Sequence, residues 1–251
     1  MSARGTTPAR RRPVTLHDLV LLAVLAVVFG FLYWALVQVW GWMQVAMGPL
    51  GDLAQNVLVG GWMVVAPLAL YIVRKPGSGI VVEIVASIVE VVFLASPVGP
   101  MLILVGLIQG AGAEVAFTAT RYRRYGWWVF VASGITAALA NLALGMVRFG
   151  WMGQDFFALR VGFQLASGII LCGLLAKVIG DALLRTGVLD NYAIGRAARE
   201  TERSGGSSPA DRSTASGTTV SGTPGTPGTP GTPGTSGSSG TSGASGTSET
   251  T

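Results

Sequence analysis

The sequence predicts an all-α, polytopic membrane protein, and three observations carry that reading. Half of the 251 residues are hydrophobic and only 12% are charged, and mean hydropathy is +0.57 although the last fifth of the chain is polar. Several windows reach the ~20 consecutive apolar residues that a helix needs to cross the hydrocarbon of a bilayer. Those runs are long and continuous rather than short and alternating, which argues against a barrel of strands.

Each element follows from a local signal. Residues 1–14 are polar and carry Arg4, Arg10, Arg11 and Arg12, the composition of a basic cytosolic arm. The apolar run behind it is too long for a signal peptide, and more runs follow. A six-helix membrane domain is expected over 15–200. Its first span opens at Thr15-Leu16-His17-Asp18, where Thr15 with an acid three residues on is a capping box, and runs to about Val39. Tyr33, Trp34, Gln38 and Trp40 gather toward its far end. The second span covers about 53–73, with Pro67 as a kink, and stops at Arg74-Lys75-Pro76-Gly77. The third is about 79–94. The fourth is about 100–120, with Pro100 suited to the first helical position, and ends at Arg121, Arg123 and Arg124. The fifth is about 127–147 and the sixth about 159–184, with Lys177 near enough to its end to snorkel. Over 201–251 the chain is mainly Ser, Gly, Thr and Pro, too poor in apolar side chains to offset ordering entropy, so a disordered cytosolic tail is expected.

The cations give the orientation. Arg4, Arg10, Arg11, Arg12, Arg74, Lys75, Arg121, Arg123, Arg124, Arg185, Arg196 and Arg199 fall on one side of such a bundle, and only Arg148 and Arg160 on the other. The positive-inside rule then puts both termini in the cytosol, as an even number of spans requires. Clusters at helix ends do not form a basic face, so nucleic acid is not an expected partner despite the net charge of +5. Cys172 and His17 are each the single residue of their type, so no disulfide framework, zinc site or Cys/His nucleophile pair can be assembled. No metal or cofactor is expected.

Ionisable groups inside the spans need a reason, because a charge near the bilayer centre costs from ~3 kcal/mol upward. Glu83, Glu90, Gln109 and Glu114 lie in the third and fourth spans. At ~1.5 Å of rise per residue, Glu90 and Gln109 fall at similar heights, roughly 8–14 Å from the outer ends, and Glu83 and Glu114 match each other nearer the cytosol. Tyr33, Trp34, Gln38, Trp62, Asn141 and Gln164 also fall in the outer half. The helices thus bring polar or aromatic side chains to one level above an apolar inner half, which predicts a blind cup open to the outside rather than a through-channel.

Each residue also has a plainer use. Tyr33, Trp34 and above all Trp40 suit an interfacial aromatic belt, for which Trp62 lies too deep. Gln109, Asn141 and Gln164 suit interhelical hydrogen bonds. Glu83 and Glu114 suit structural pairing with Arg74, Lys75 or Arg121. Glu90 has no basic residue at its own depth apart from Arg160 near the rim. Ala23, Ala26 and Gly30 form a small-residue face on the first span, which serves either packing within the chain or a partner subunit.

Arg74-Lys75-Pro76-Gly77, Glu83 and Glu90, Gln109-Gly110-Ala111-Gly112-Ala113-Glu114 and Arg121-Tyr122-Arg123-Arg124 resemble the YkoE family. Phe29-Gly30-Phe31-Leu32-Tyr33-Trp34 and Thr186-Gly187-Val188-Leu189 extend the likeness, which covers about 15–200. That family comprises substrate-capture (S) components of energy-coupling-factor (ECF) vitamin transporters, associated with thiamin and its hydroxymethylpyrimidine precursor. The resemblance implies a six-helix S component that binds its vitamin on the outer side. It also implies a transmembrane coupling protein and cytosolic ATPases as partners, with Ala23, Ala26 and Gly30 as the candidate interface. This sequence has no Gly-x-x-x-x-Gly-Lys-[Ser/Thr] phosphate loop, so ATP falls to the partners.

For such a ligand, Glu90 or the faces of Trp34 and Trp62 would stabilise the thiazolium cation, and Gln109 would pair with the aminopyrimidine edge. The expected substrate-binding set is Glu90, Gln109, Trp34, Trp62, Tyr33, Gln164 and Asn141, with Glu83 and Glu114 as structural or ligand-adjacent acids. A second reading is an ion- or proton-coupled secondary carrier for a small heterocyclic solute, with Glu83, Glu90 and Glu114 as a relay. No inverted repeat with broken helices supports it. An enzyme is not expected, because no nucleophile–base or metal set is present.

Overall fold

The computed structural model describes residues 15–206, and every regular element among them is helical. The arm expected over 1–14 and the tail from 207 onward lie outside the described residues. The helices are α1 (Leu16–Met47), α2 (Gly51–Val73), α3 (Ser78–Ile88, continuing through a wider π turn, Val89–Phe93), α4 (Met101–Ala119), α5 (Trp127–Phe149), α6 (Phe157–Arg185) and α7 (Ala193–Gly206).

Five of them, α1, α2, α4, α5 and α6, are long and apolar enough to cross a membrane. The expected third span is shorter than the others. Its 11 helical residues and 5-residue wide turn rise about 24 Å, against ~30 Å of hydrocarbon. α1 runs past the expected end at Val39 to Met47, because no breaker precedes Gly48, whose φ of 54° stops it. Its start is the expected reciprocal cap: Thr15 Oγ1 accepts from the Asp18 amide at 3.3 Å, and Asp18 accepts from the Thr15 amide at 2.9 Å. Asp18 also takes Lys75 Nζ at 2.5 Å, tying the start of α1 to the end of α2.

The second half of α2, Val65–Val73, is buried at every position. A helix apolar all round belongs inside a bundle, and this one is surrounded by Leu22, Leu25 and Phe29 of α1, Val82 and Ala86 of α3, Phe117 of α4, Phe130 of α5 and Ala176 of α6. A tight 3₁₀ stretch, Val59–Met63, precedes it. Pro67 has no amide proton to offer the Met63 carbonyl four residues back, and the Cys172 thiol of α6 donates to that carbonyl instead, at 3.3 Å.

Close helix approach depends on missing side chains. A Cβ on Gly110 of α4 would lie 2.9 Å from Ile80 Cα, so α3 and α4 meet backbone to backbone. Gly30 of α1 is set likewise against α3, where a Cβ would lie 2.9 Å from the Ala86 carbonyl, and Ala26 is wholly buried. This corrects the expected coupling interface: Ala26 and Gly30 face into the chain, and of that trio only Ala23 is exposed.

At the end of the bundle that holds the start of α1, Lys177 does not snorkel. It is buried, donates to Tyr71 Oη at 2.7 Å and to Asp181, and lies 4.5 Å from the Tyr71 ring centre and 5.4 Å from that of Trp127. Snorkelling was the cheaper expectation for a long cation; an aromatic box with a carboxylate removes the need for it. Beyond α6, Leu189 and Ile194 are buried against the core. The short helix α7 crosses the boundary at 200 where the tail was expected to begin.

Candidate binding site

A cavity of about 550 Å³, its open mouth included, sits at the end of the bundle where α1 meets α2, α3 meets α4 and α5 meets α6. Its walls come from Tyr33, Val37 and Trp40 of α1, Gln55, Val59 and Trp62 of α2, Ser87 and Glu90 of α3, Val98 of the next loop, Leu102, Val105 and Gln109 of α4, and Asn141 and Arg148 of α5.

Glu90 sits in the wide turn that ends α3, a local widening often found at functional positions. Ser96, brought back by the loop, donates its hydroxyl to Glu90 Oε1 at 2.8 Å and its amide to the Glu90 carbonyl at 3.1 Å. Glu90 is 1% exposed, and its second oxygen, Oε2, has no partner among the described residues. Across the cavity, Gln109 Nε2 donates to Asn141 Oδ1 at 2.9 Å. That single bond fixes both amides and leaves an acceptor on Gln109 and donors on Asn141.

The aromatic wall is fixed from beneath. The Trp62 indole N–H donates to the Tyr33 carbonyl at 3.0 Å. Tyr33 Oη donates to Glu83 Oε1 at 3.1 Å and accepts from the Val65 amide at 3.2 Å, while Glu83 Oε1 accepts from the Ala66 amide at 3.2 Å. Val65 and Ala66 open the α-helical half of α2, where amide groups lack intrahelical partners, so Glu83 and Tyr33 together cap a helix start. Glu114 does the same for α3: it accepts from the Gly77 amide and from Tyr122 Oη at 2.6 Å. The expected partners Arg74, Lys75 and Arg121 are therefore replaced, for both acids, by backbone amides and tyrosine hydroxyls.

Of the expected site residues, Glu90, Gln109, Trp62, Tyr33 and Asn141 line the cavity, and Trp34 and Gln164 do not. Trp34 stacks on Phe31, 6.0 Å between ring centres, on a side of α1 where Phe31 is 54% exposed. Gln164 is wholly buried and donates to the Ala138 carbonyl at 2.9 Å, joining α6 to α5. Trp40, expected in an interfacial belt, is on the cavity wall. Sequence reasoning also missed Gln55, Ser87 and Arg148. Ser87 lies three residues before Glu90, on the same helical face, and that spacing was a usable signal.

The two cations at this end differ. Arg160 donates to Asp52 and, at 3.0 Å, to Gln154, and lies 5.2 Å from the Trp151 ring centre. Arg148 has no ion pair or hydrogen bond among the described residues; its guanidinium lies 4.9 Å from the Phe149 ring centre. The described residues hold no group of three His, Cys, Asp or Glu able to bind a metal ion. The cavity can thus hold a flat guest between aromatic walls, pair its polar edge with an amide couple and accept a donor or cation at Glu90.

Residues 17–140 match the family model described as an ABC-type cobalt transport system permease component. YkoE of Bacillus subtilis (strain 168), named as an HMP/thiamine permease protein, is 34% identical over 181 residues, which cover 71% of this chain and 89% of that one. A crystal structure of an S-component of an ECF transporter superposes with a TM-score of 0.71 at 31% identity, covering 77% of this chain and 97% of the other.

Proposed function

The chain belongs to the YkoE family of ECF-transporter S components, and from that premise we propose that its cavity captures thiamin or the hydroxymethylpyrimidine precursor from outside the cell. Membership makes it a multi-pass, substrate-binding membrane component of a transporter, and not an enzyme.

One observation carries the choice of guest. A buried carboxylate with one oxygen held by Ser96 and the other unpartnered shares a cavity with an amide couple that offers both an acceptor and donors. An aminopyrimidine presents the complementary donor and acceptor edge, and a thiazolium presents a cation for Glu90 and the Trp62 face. A wrong guest would leave these groups desolvated and unpaired, which is how a small site discriminates.

In this reading α3 completes a set of six crossings with the five longer helices, and both termini are cytosolic, because Arg74, Lys75, Arg121, Arg123 and Arg124 lie at the end opposite the cavity. The cavity then opens outward. A transmembrane coupling protein and cytosolic ATPases supply the energy. A proton relay through Glu83, Glu90 and Glu114 is disfavoured, since Glu83 and Glu114 are engaged as helix caps.

Titrating the purified chain with thiamin and with hydroxymethylpyrimidine, and following tryptophan emission from Trp40 and Trp62, should give saturable quenching or enhancement for at least one. Uptake into liposomes should require ATP and the partner subunits. No spectral change with either compound, or transport by the chain alone, overturns the reading.

A further inference from the structure

We propose that the cavity has a second charged subsite, Arg148, which selects the phosphomonoester of the heterocyclic alcohol over the free alcohol. This rests on the reading of the cavity as the vitamin site and names the charge pattern of its guest.

The cavity is lined by two charged side chains of opposite sign, Glu90 and Arg148. They differ in setting: Glu90 is 1% exposed and Arg148 is exposed at the last turn of α5. Arg160, the other cation at this end, has Asp52 as its counter-ion. Among the described residues Arg148 has no carboxylate, no hydrogen bond and only its neighbour's ring, although the basic clusters Arg74–Lys75 and Arg121–Arg124 lie at the opposite end of the bundle. A planar guanidinium with free N–H groups matches a phosphate or carboxylate bidentately. Glu90 and the Gln109–Asn141 couple occupy the wall where a heterocycle would lie, and Arg148 follows Asn141 by two turns on α5, toward the mouth.

A guest that is only a cation gains from Glu90 and is repelled by Arg148. One that carries a cation or donor at one end and a phosphate at the other gains from both. The hydroxyl of thiamin or of the pyrimidine precursor is the atom such an ester would use. Lipid phosphate could meet the same guanidinium, and the two sources are separable by experiment.

The test compares thiamin with thiamin monophosphate on the intact chain in phosphate-free detergent, and then in nanodiscs of phosphatidylglycerol. The wild type should bind the monophosphate more tightly. Arg148→Gln should weaken the monophosphate about tenfold or more and tighten thiamin about threefold, since the repulsion of its cation is removed, which reverses the preference. Inorganic phosphate should compete with the monophosphate in the wild type and not in Arg148→Gln. Equal weakening of both compounds, or no preference in the wild type, overturns the subsite. A preference present in detergent and lost in the nanodiscs assigns Arg148 to lipid headgroups and overturns it too. Failure of both compounds to bind the wild type would instead sink the vitamin reading itself.

Discussion

Lys177 and Glu90 are both ionisable groups buried in apolar helices, at opposite ends of one bundle, and their surroundings differ in kind. Lys177 has a hydroxyl, a carboxylate and aromatic faces within the chain. Around it, Asp18 holds Lys75, and Glu114 holds the Gly77 amide. At the other end Glu90 keeps one oxygen unpartnered, the Gln109–Asn141 couple is joined by one bond of several it can make, and Arg148 has no counter-ion among the described residues. The contrast teaches that in a membrane bundle the useful polar groups are those left incomplete beside a void, since Glu83 Oε2 and Gln164 Oε1 are also unpartnered but line no cavity. A satisfied buried charge is part of the frame; an unsatisfied one beside a void marks where a guest completes it.

That contrast can be broken experimentally. Its largest expected effect is at Glu90: Glu90→Gln should weaken thiamin binding by roughly 30-fold or more, as loss of a desolvated charge partner does, while the melting midpoint of the ligand-free protein barely moves. A fall in both together would make Glu90 part of the frame. Lys177→Met should do the reverse. It should cost about 1–2 kcal/mol of stability, discounted because the Asp181 side chain is 30% exposed, with thiamin affinity unchanged in a binding titration. The smallest effect sharpens the picture of the frame alone. Cys172→Ala leaves the Met63 carbonyl without its thiol donor and should cost under about 1 kcal/mol, read as a slight drop in thermal midpoint. Loss of binding in that variant would contradict the division of roles.

Much of this was legible in the residues, and the failures have two causes. The Thr15–Asp18 cap and the apolar runs are local signals, and the fold uses them where they stand. Height along the bundle was also legible, since Tyr33, Trp62, Glu90, Gln109 and Asn141 meet at one cavity. Azimuth was not. Tyr33, Val37 and Trp40 recur at helical spacing and share the cavity face of α1, whereas Trp34, one residue on, is turned by about 100° and meets Phe31. Gln164 has the right height and the wrong bearing, toward Ala138. The acids misled in another way. The nearest cations along the chain suggested ion pairs, but the partners in space are tyrosine hydroxyls and helix-start amides at the 3₁₀ stretch and at the start of α3, which no periodicity announces.

The unequal heights of the walls have a consequence for the surrounding lipid. α1 has 32 residues, while α3 rises only about 24 Å, some 6 Å less than ordinary hydrocarbon thickness. If α3 is the sixth crossing proposed above, acyl chains next to the exposed Val81, Val92 and Phe93 compress to match it, at a fraction of a kcal/mol for each ångström. On that reading a thinner bilayer suits the flank nearest Glu90 better than a thick one, and membrane thickness is a condition to vary beside the ligand.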